Sequence, residues 1–76
     1  MISPTVKSLL ATEQLKRSDA SSALGITAQA LSNKYVRDSF SAEDLVKIAT
    51  ACGYHLAFIR DKDGLVITFP ALESQD

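Results

Sequence analysis

The chain has 76 residues, enough for one small domain near the lower size limit for folding without a metal or disulfides. Hydrophobic residues make up 46% and charged residues 22%, which is a globular composition, and the single cysteine excludes a disulfide-stapled or cysteine-rich zinc domain. The formal charge of −1 conceals an asymmetry: residues 1–37 carry five basic groups against two acids, a net of +3, and residues 38–76 carry three against seven, a net of −4. Such an asymmetry is a weak indication of an anionic partner.

No apolar run approaches the length that crosses a bilayer, and the N-terminal residues lack the pattern of a signal peptide. We therefore expect a cytoplasmic protein that does not associate with membranes.

Cap and turn residues indicate the first two helices. Ser3, a favoured N-cap residue followed by proline, predicts a first helix that ends near residues 14–15. A short second helix is expected over about residues 19–24, with Ser18 as its cap. Gly25 follows in the position where a left-handed residue usually closes a helix.

The next two helices have clearer start signals. Thr27 predicts the cap of a third helix over about residues 28–35. Ser41 and Asp44 have the spacing of a capping box at the start of a fourth helix, which Gly53 ends. The apolar face of the fourth helix carries Leu45, Ile48, Ala49 and Cys52.

After Gly53 the pattern changes to that of strands. Residues 54–60 and 65–69 are rich in β-branched and aromatic side chains, and residues 61–64 form a hairpin loop with a glycine. Both faces of this hairpin are largely apolar. Because four short helices are expected to cover only one of them, the other predicts a partner, most simply a second copy of the chain.

These elements predict a mainly α fold, with four helices, or five counting a short turn, followed by a two-stranded antiparallel β-hairpin. The division is a helical domain over residues 1–53, a hairpin over 54–70 that serves as a dimerisation or partner surface, and a tail over 71–76.

The second and third helices, joined by a glycine turn, have the arrangement of a helix-turn-helix. No acid lies between Asp19 and Asp38, so the exposed face of the third helix suits an anionic partner. Gln and Asn side chains bond adenine edges bidentately, and helix N-termini and basic groups bind phosphate. The exposed face of the third helix displays Ala28, Gln29, Ser32 and Asn33, and the three polar side chains among these are the predicted base contacts. The predicted phosphate contacts are Arg17, Thr27, Lys34 and Arg37.

At residues 24–41 the run LGITAQALSNKYVRDSFS resembles the Cro/repressor-type (XRE-like) helix-turn-helix regulators of bacteria and their phages. It is similar to a small subgroup that reads roughly LG-[IM]-[ST]-x-Q-x-[LF]-[SN]-N-K-x-x-R-D-x-F-S. The resemblance covers about residues 6–59. It implies a helical domain that binds double-stranded DNA as a homodimer on a palindromic operator. The matching positions imply base contacts by Ala28, Gln29, Ser32 and Asn33, with Thr27 on the backbone.

Two positions depart from the family pattern. Arg17 stands where many members have a phosphate-binding Gln, and Ser21 stands where a small Ala is usual, which adds a hydroxyl that needs a hydrogen-bond partner. The hairpin after Gly53 lies outside the core family fold.

Other functions are less well supported by the sequence. No nucleophile, base and orienting group are visible together, so no enzyme, cofactor or metal site is predicted. We expect Cys52 to be a small buried side chain, His55 to fill a strand, and Asp61 and Asp63 to belong to the turn. The alternative function is a protein-interaction module, such as an antitoxin that binds a partner protein through the hairpin.

Overall fold

The computed structural model describes residues 1–70, and the predicted tail lies outside this range. Four helices are followed by one antiparallel hairpin, which confirms the predicted fold class. No helix in this range is long and apolar enough to cross a membrane. The elements are α1 (Ser3–Thr12), α2 (Arg17–Leu24), α3 (Ala28–Arg37), α4 (Ala42–Cys52), β1 (Ala57–Ile59) and β2 (Val66–Thr68).

The start of α1 is capped from a distant part of the chain, so the prediction of Ser3 as its cap is wrong. Ile2 is the N-cap residue, and Ser3 lies buried in the first turn. The carboxylate of Asp38 accepts hydrogen bonds from the backbone N–H of Ile2 at 2.9 Å and of Ser3 at 2.6 Å. Asp38 thus caps α1 from about 35 residues along the chain, a distance over which local sequence patterns carry no signal.

Helix α1 also ends earlier than predicted, at Thr12 rather than near residues 14–15. Gln14 has a φ of 56°, and Leu15 donates its backbone N–H to Leu10 at 2.9 Å. The left-handed residue turns the chain towards α2.

Helix α2 begins two residues before the predicted start, and its N-cap is Lys16 rather than Ser18. The Asp19 carboxylate accepts a hydrogen bond from the Lys16 backbone N–H at 2.8 Å. An acidic residue in the first turn therefore fixes this start, because its charge and its oxygens both favour a helix N-terminus.

The caps of α3 and α4 are those the sequence predicts. The Thr27 hydroxyl accepts from the backbone N–H of Ala30 at 3.0 Å, and Ser41 and Asp44 form a reciprocal capping box. Helix α3 extends to Arg37 rather than ending at residue 35, because it is closed by Asp38 in a left-handed conformation.

The core lies between the helices. Leu31 of α3 and Ile48 of α4 are its fully buried large side chains, each contributing about 1.5–3 kcal/mol by burial. The other buried members of this cluster are Val6, Leu10, Ala20, Leu24 and Phe40. Cys52 is half-buried at its margin, and burial, followed by the nearby Glu13 charge, raises the pKa of the thiol.

The hairpin pairs Phe58 with Ile67 at its centre, and its strands are shorter than the predicted ranges 54–60 and 65–69. Arg60 and Asp63 form an ion pair of 2.7 Å across the turn.

The expectation that the helices cover one hairpin face is wrong. Phe58 and Ile67 on one face are 67% and 63% exposed, and Ile59 and Val66 on the other are 65% and 51% exposed. Tyr54, before the strands, is held to the end of α1 by a 2.8 Å hydrogen bond to Glu13. Beyond it the strands extend away from the helices, so both faces are largely exposed.

Candidate nucleic-acid interface

The turn between α2 and α3 holds the two helices at a fixed angle. Gly25 has a φ of 69°, and a Cβ atom there would meet nothing within 4 Å, so the backbone conformation rather than crowding favours glycine. The Ile26 N–H bonds to the Ser21 carbonyl at 3.0 Å. Thr27, two residues after Gly25, then caps the start of α3.

The inner side of α3 is packed against the rest of the domain. Leu31 is completely buried, and the ring of Tyr35 packs edge-on against Phe40 with centroids 5.4 Å apart. The family departure at Ser21 is accommodated because its hydroxyl donates to the Ser18 carbonyl at 3.1 Å. Helix α3 is therefore a rigid support for the side chains on its outer side.

Three of the four predicted base-contacting residues are exposed on α3. Ala28 lies in its first turn, while Gln29 and Asn33 lie one turn apart and their side-chain amides are 3.4 Å apart. This long hydrogen bond orients the two amides and is weak enough to exchange for contacts to base edges. The fourth residue, Ser32, is half-buried and its hydroxyl accepts from Arg17 Nη1 at 3.1 Å.

A cluster of basic side chains around Tyr35 extends this face. The Arg17 guanidinium lies 5.9 Å from the centre of the Tyr35 ring, and Lys7 Nζ lies 5.1 Å from it. Sequence reasoning missed Lys7, because only the tertiary packing of α1 brings it beside α3. Partial burial raises the pKa of the Tyr35 hydroxyl, an effect that Arg17 opposes.

Lys34 has a structural contact that the sequence did not predict. Its Nζ lies 2.9 Å from the Asp44 carboxylate, which also accepts the Ser41 backbone N–H at the start of α4. Burial of Asp44 alone raises its pKa, but the bonds from Lys34 and Ser41 together with the Lys34 charge outweigh burial and hold the pKa below its usual value. Lys34 thus joins α3 to α4, and a phosphate would have to compete with Asp44 for it.

The remaining predicted phosphate contacts lie at the two ends of α3. Thr27 is exposed at the N-terminus, where the free backbone N–H groups favour an anion. Arg37 is exposed in the last turn. The outer side of α3 and its N-terminal end therefore present amides and cations, and the carboxylate at its C-terminal end, that of Asp38, is bound to the start of α1.

Comparison with known proteins agrees with this geometry. The family described as the bacteriophage CI repressor helix-turn-helix domain matches residues 7–66, which include α2, the turn and α3. Searches of curated proteins and of solved structures each found no significant match. Since the family match covers most of the chain, the protein belongs to the bacteriophage CI repressor helix-turn-helix domain family and is a DNA-binding transcriptional regulator.

Proposed function

We propose that the protein is a repressor of phage or mobile-element type that inserts α3 into the major groove of its operator. The observation that carries this proposal is the outer face of α3, where Gln29 and Asn33 are exposed on a helix held by the buried Leu31. A major groove admits one α-helix, and its base edges offer bidentate partners to amide side chains.

The roles of individual residues follow from their positions. Gln29 and Asn33 bond base edges, and Ala28 and Ser32 contact bases beside them. Arg17, Thr27 and Arg37 bind the phosphate backbone, and we add Lys7 to this set because it shares the Tyr35 ring with Arg17. Lys34 binds a phosphate only when its ion pair with Asp44 is broken.

We further propose that the hairpin joins two copies of the chain. A two-stranded hairpin is marginally stable by itself, and here its central pair Phe58 and Ile67 is more than 60% exposed. Two-fold pairing would bury these side chains. It would also set the two α3 helices about 34 Å apart, one turn of DNA.

The same exposed hairpin supports the second candidate function, in which the protein binds a different protein through residues 57–59 and 66–68. This function does not exclude DNA binding, because the hairpin and α3 are separate surfaces. The solution mass of the purified chain distinguishes the two proposals for the hairpin.

Selection of binding sites from random duplexes at low salt tests the repressor proposal. We expect enrichment of one sequence with two-fold symmetry and half-sites about one helical turn apart. As a control, the same selection with a Gln29→Ala, Asn33→Ala double variant is expected to return a degenerate site. Recovery of no enriched sequence by the wild-type protein would contradict the proposal.

A further inference from the structure

Val36 has an exposure that the packing of the domain does not explain. Its side chain is 86% exposed, and among the large hydrophobic residues of the described chain only the N-terminal Met1 is more so. Val36 also lies on α3, the helix proposed to enter the groove, rather than on the hairpin.

The helical period places Val36 on the proposed recognition face. At about 100° per residue, Val36 lies about 20° around the helix axis from Gln29 and about 60° from Asn33. It lies about 140° from the fully buried Leu31. Residues 29, 32, 33 and 36 thus have the i, i+3, i+4, i+7 spacing of the base-contacting residues in the recognition helix of homeodomains.

The distance along the helix limits which base pair Val36 would meet. Seven residues separate it from Gln29, a rise of about 10 Å, which spans at most about three base-pair steps of about 3.4 Å because a helix in the major groove lies oblique to the DNA axis. A β-branched side chain in a helix occupies essentially one χ1 rotamer. Val36 therefore presents its two methyl groups in a fixed direction at the end of the recognition face.

The chemistry of the major groove limits the partner of an aliphatic side chain. Among the four standard bases only thymine presents an apolar group there, its C5-methyl. Against the other base edges, valine would remove water from polar atoms without replacing the hydrogen bonds. We propose that Val36 is a specificity-determining residue that contacts a thymine C5-methyl group within about three base pairs of the pair bound by Gln29.

This inference rests on the proposed function, and thymine-to-uracil replacement tests it without changing any hydrogen-bonding group. Each thymine of the selected operator is replaced in turn by deoxyuridine, and affinities are measured for the wild type and for Val36→Ala. Thermal melting checks that Val36→Ala folds like the wild type, as truncation of an exposed side chain should allow.

We expect one thymine in each half-site whose replacement weakens wild-type binding about threefold to fivefold, the value of one buried methyl group. Val36→Ala should bind the thymine and uracil duplexes equally at that position. Val36→Ile should keep the preference for thymine. Gln29→Ala should also keep it, while losing discrimination at a different base pair, within about three steps of that thymine. A 5-methylcytosine at the same position should bind more tightly than cytosine.

Two results overturn the proposal in distinguishable ways. In the first, the wild type binds its operator but every thymine-to-uracil replacement affects it and Val36→Ala equally, or no thymine lies within about three base pairs of the pair bound by Gln29. The role of Val36 is then refuted and the repressor proposal stands. If the wild type prefers no duplex over random DNA, both proposals are refuted.

Discussion

The residues of α3 divide into those that hold the helix in place and those that the fold leaves free. Leu31 is buried, Tyr35 packs on Phe40, and Lys34 pairs with Asp44. The residues without such a role face outward, and they include Gln29 and Asn33. Surface amides are common on helices, so their position on the outer side of a packed helix-turn-helix, where the neighbouring Ser32 bonds Arg17, is the stronger argument for base contact.

At this scale we predict that Gln29→Ala and Asn33→Ala each cost about 1–3 kcal/mol of binding to the selected operator, because a bidentate pair discriminates between bases by that amount. Each variant should also tolerate more bases at the position it contacts. Fluorescence anisotropy with the operator and its single-base variants measures both effects. Thr50→Ala, which removes an exposed polar side chain from α4, serves as the control and should bind like the wild type.

Arg37→Ala should behave differently, because a phosphate contact carries no sequence information. We predict weaker binding to specific and random duplexes alike, and a fall of about 1 in the slope of log affinity against log salt concentration. Lys62→Ala removes the same charge from the hairpin loop and is the matched control. Equal salt slopes for the two variants would place the Arg37 charge away from the DNA backbone.

At the scale of the elements, local spacing predicted some helix ends and missed others. Thr27 and the Ser41–Asp44 pair act across three residues, so the sequence showed them directly. The contacts that fix α1 and the basic cluster join distant parts of the chain, as Asp38 does with Ser3 and Lys7 with Tyr35. Such pairings depend on tertiary packing and leave no local signal.

The Asp38 cap gives a prediction for stability. Hydrogen bonds from the Ser3 backbone and hydroxyl, together with a weaker one from Ile2, hold the pKa of Asp38 below its usual value, although desolvation opposes them. A carboxyl whose pKa is lower in the folded state stabilises the protein above the unfolded pKa of about 3.9 and loses this effect as the pH falls through the folded value. Asp38→Asn should therefore lower Tm at neutral pH.

The same variant should approach the wild type in Tm as the pH falls below the folded pKa of Asp38. Asparagine tolerates the left-handed conformation at this position, so the comparison isolates the charge. Thermal melting followed by far-UV circular dichroism measures the difference, with Asp61→Asn in the hairpin loop as the control. A Tm difference that does not change with pH would show that the Asp38 charge has no part in capping α1.

At the scale of the whole molecule, charge and apolar surface are separated. The basic side chains of the proposed interface lie on α1, α2 and α3, whereas the large exposed hydrophobic side chains of residues 1–70, apart from Met1, Val36 and Tyr54, are on the hairpin. The sequence predicted an apolar hairpin with a free face, but not that both faces stay free, because alternation along a strand does not show how far a sheet stands from its helices.

We predict that the wild-type chain is a dimer and that Phe58→Ser with Ile67→Ser is a monomer of unchanged helical content. These two residues lie opposite each other and would lose the apolar surface that a second copy covers. Sedimentation equilibrium at tens of micromolar measures the mass. Val36→Ser, which removes a comparably exposed side chain from α3, should remain a dimer, and a monomeric wild type would favour the partner-protein role.

The central claim is that α3, with the N-terminus of α2, forms the DNA-binding surface. The most direct test is the change in backbone amide chemical shifts when the isotope-labelled protein is titrated with the selected operator. We predict that the largest changes fall on residue 17 and residues 27–37, and that the hairpin residues 57–59 and 66–68 change little. Changes concentrated in the hairpin, with residues 27–37 unaffected, would contradict the claim.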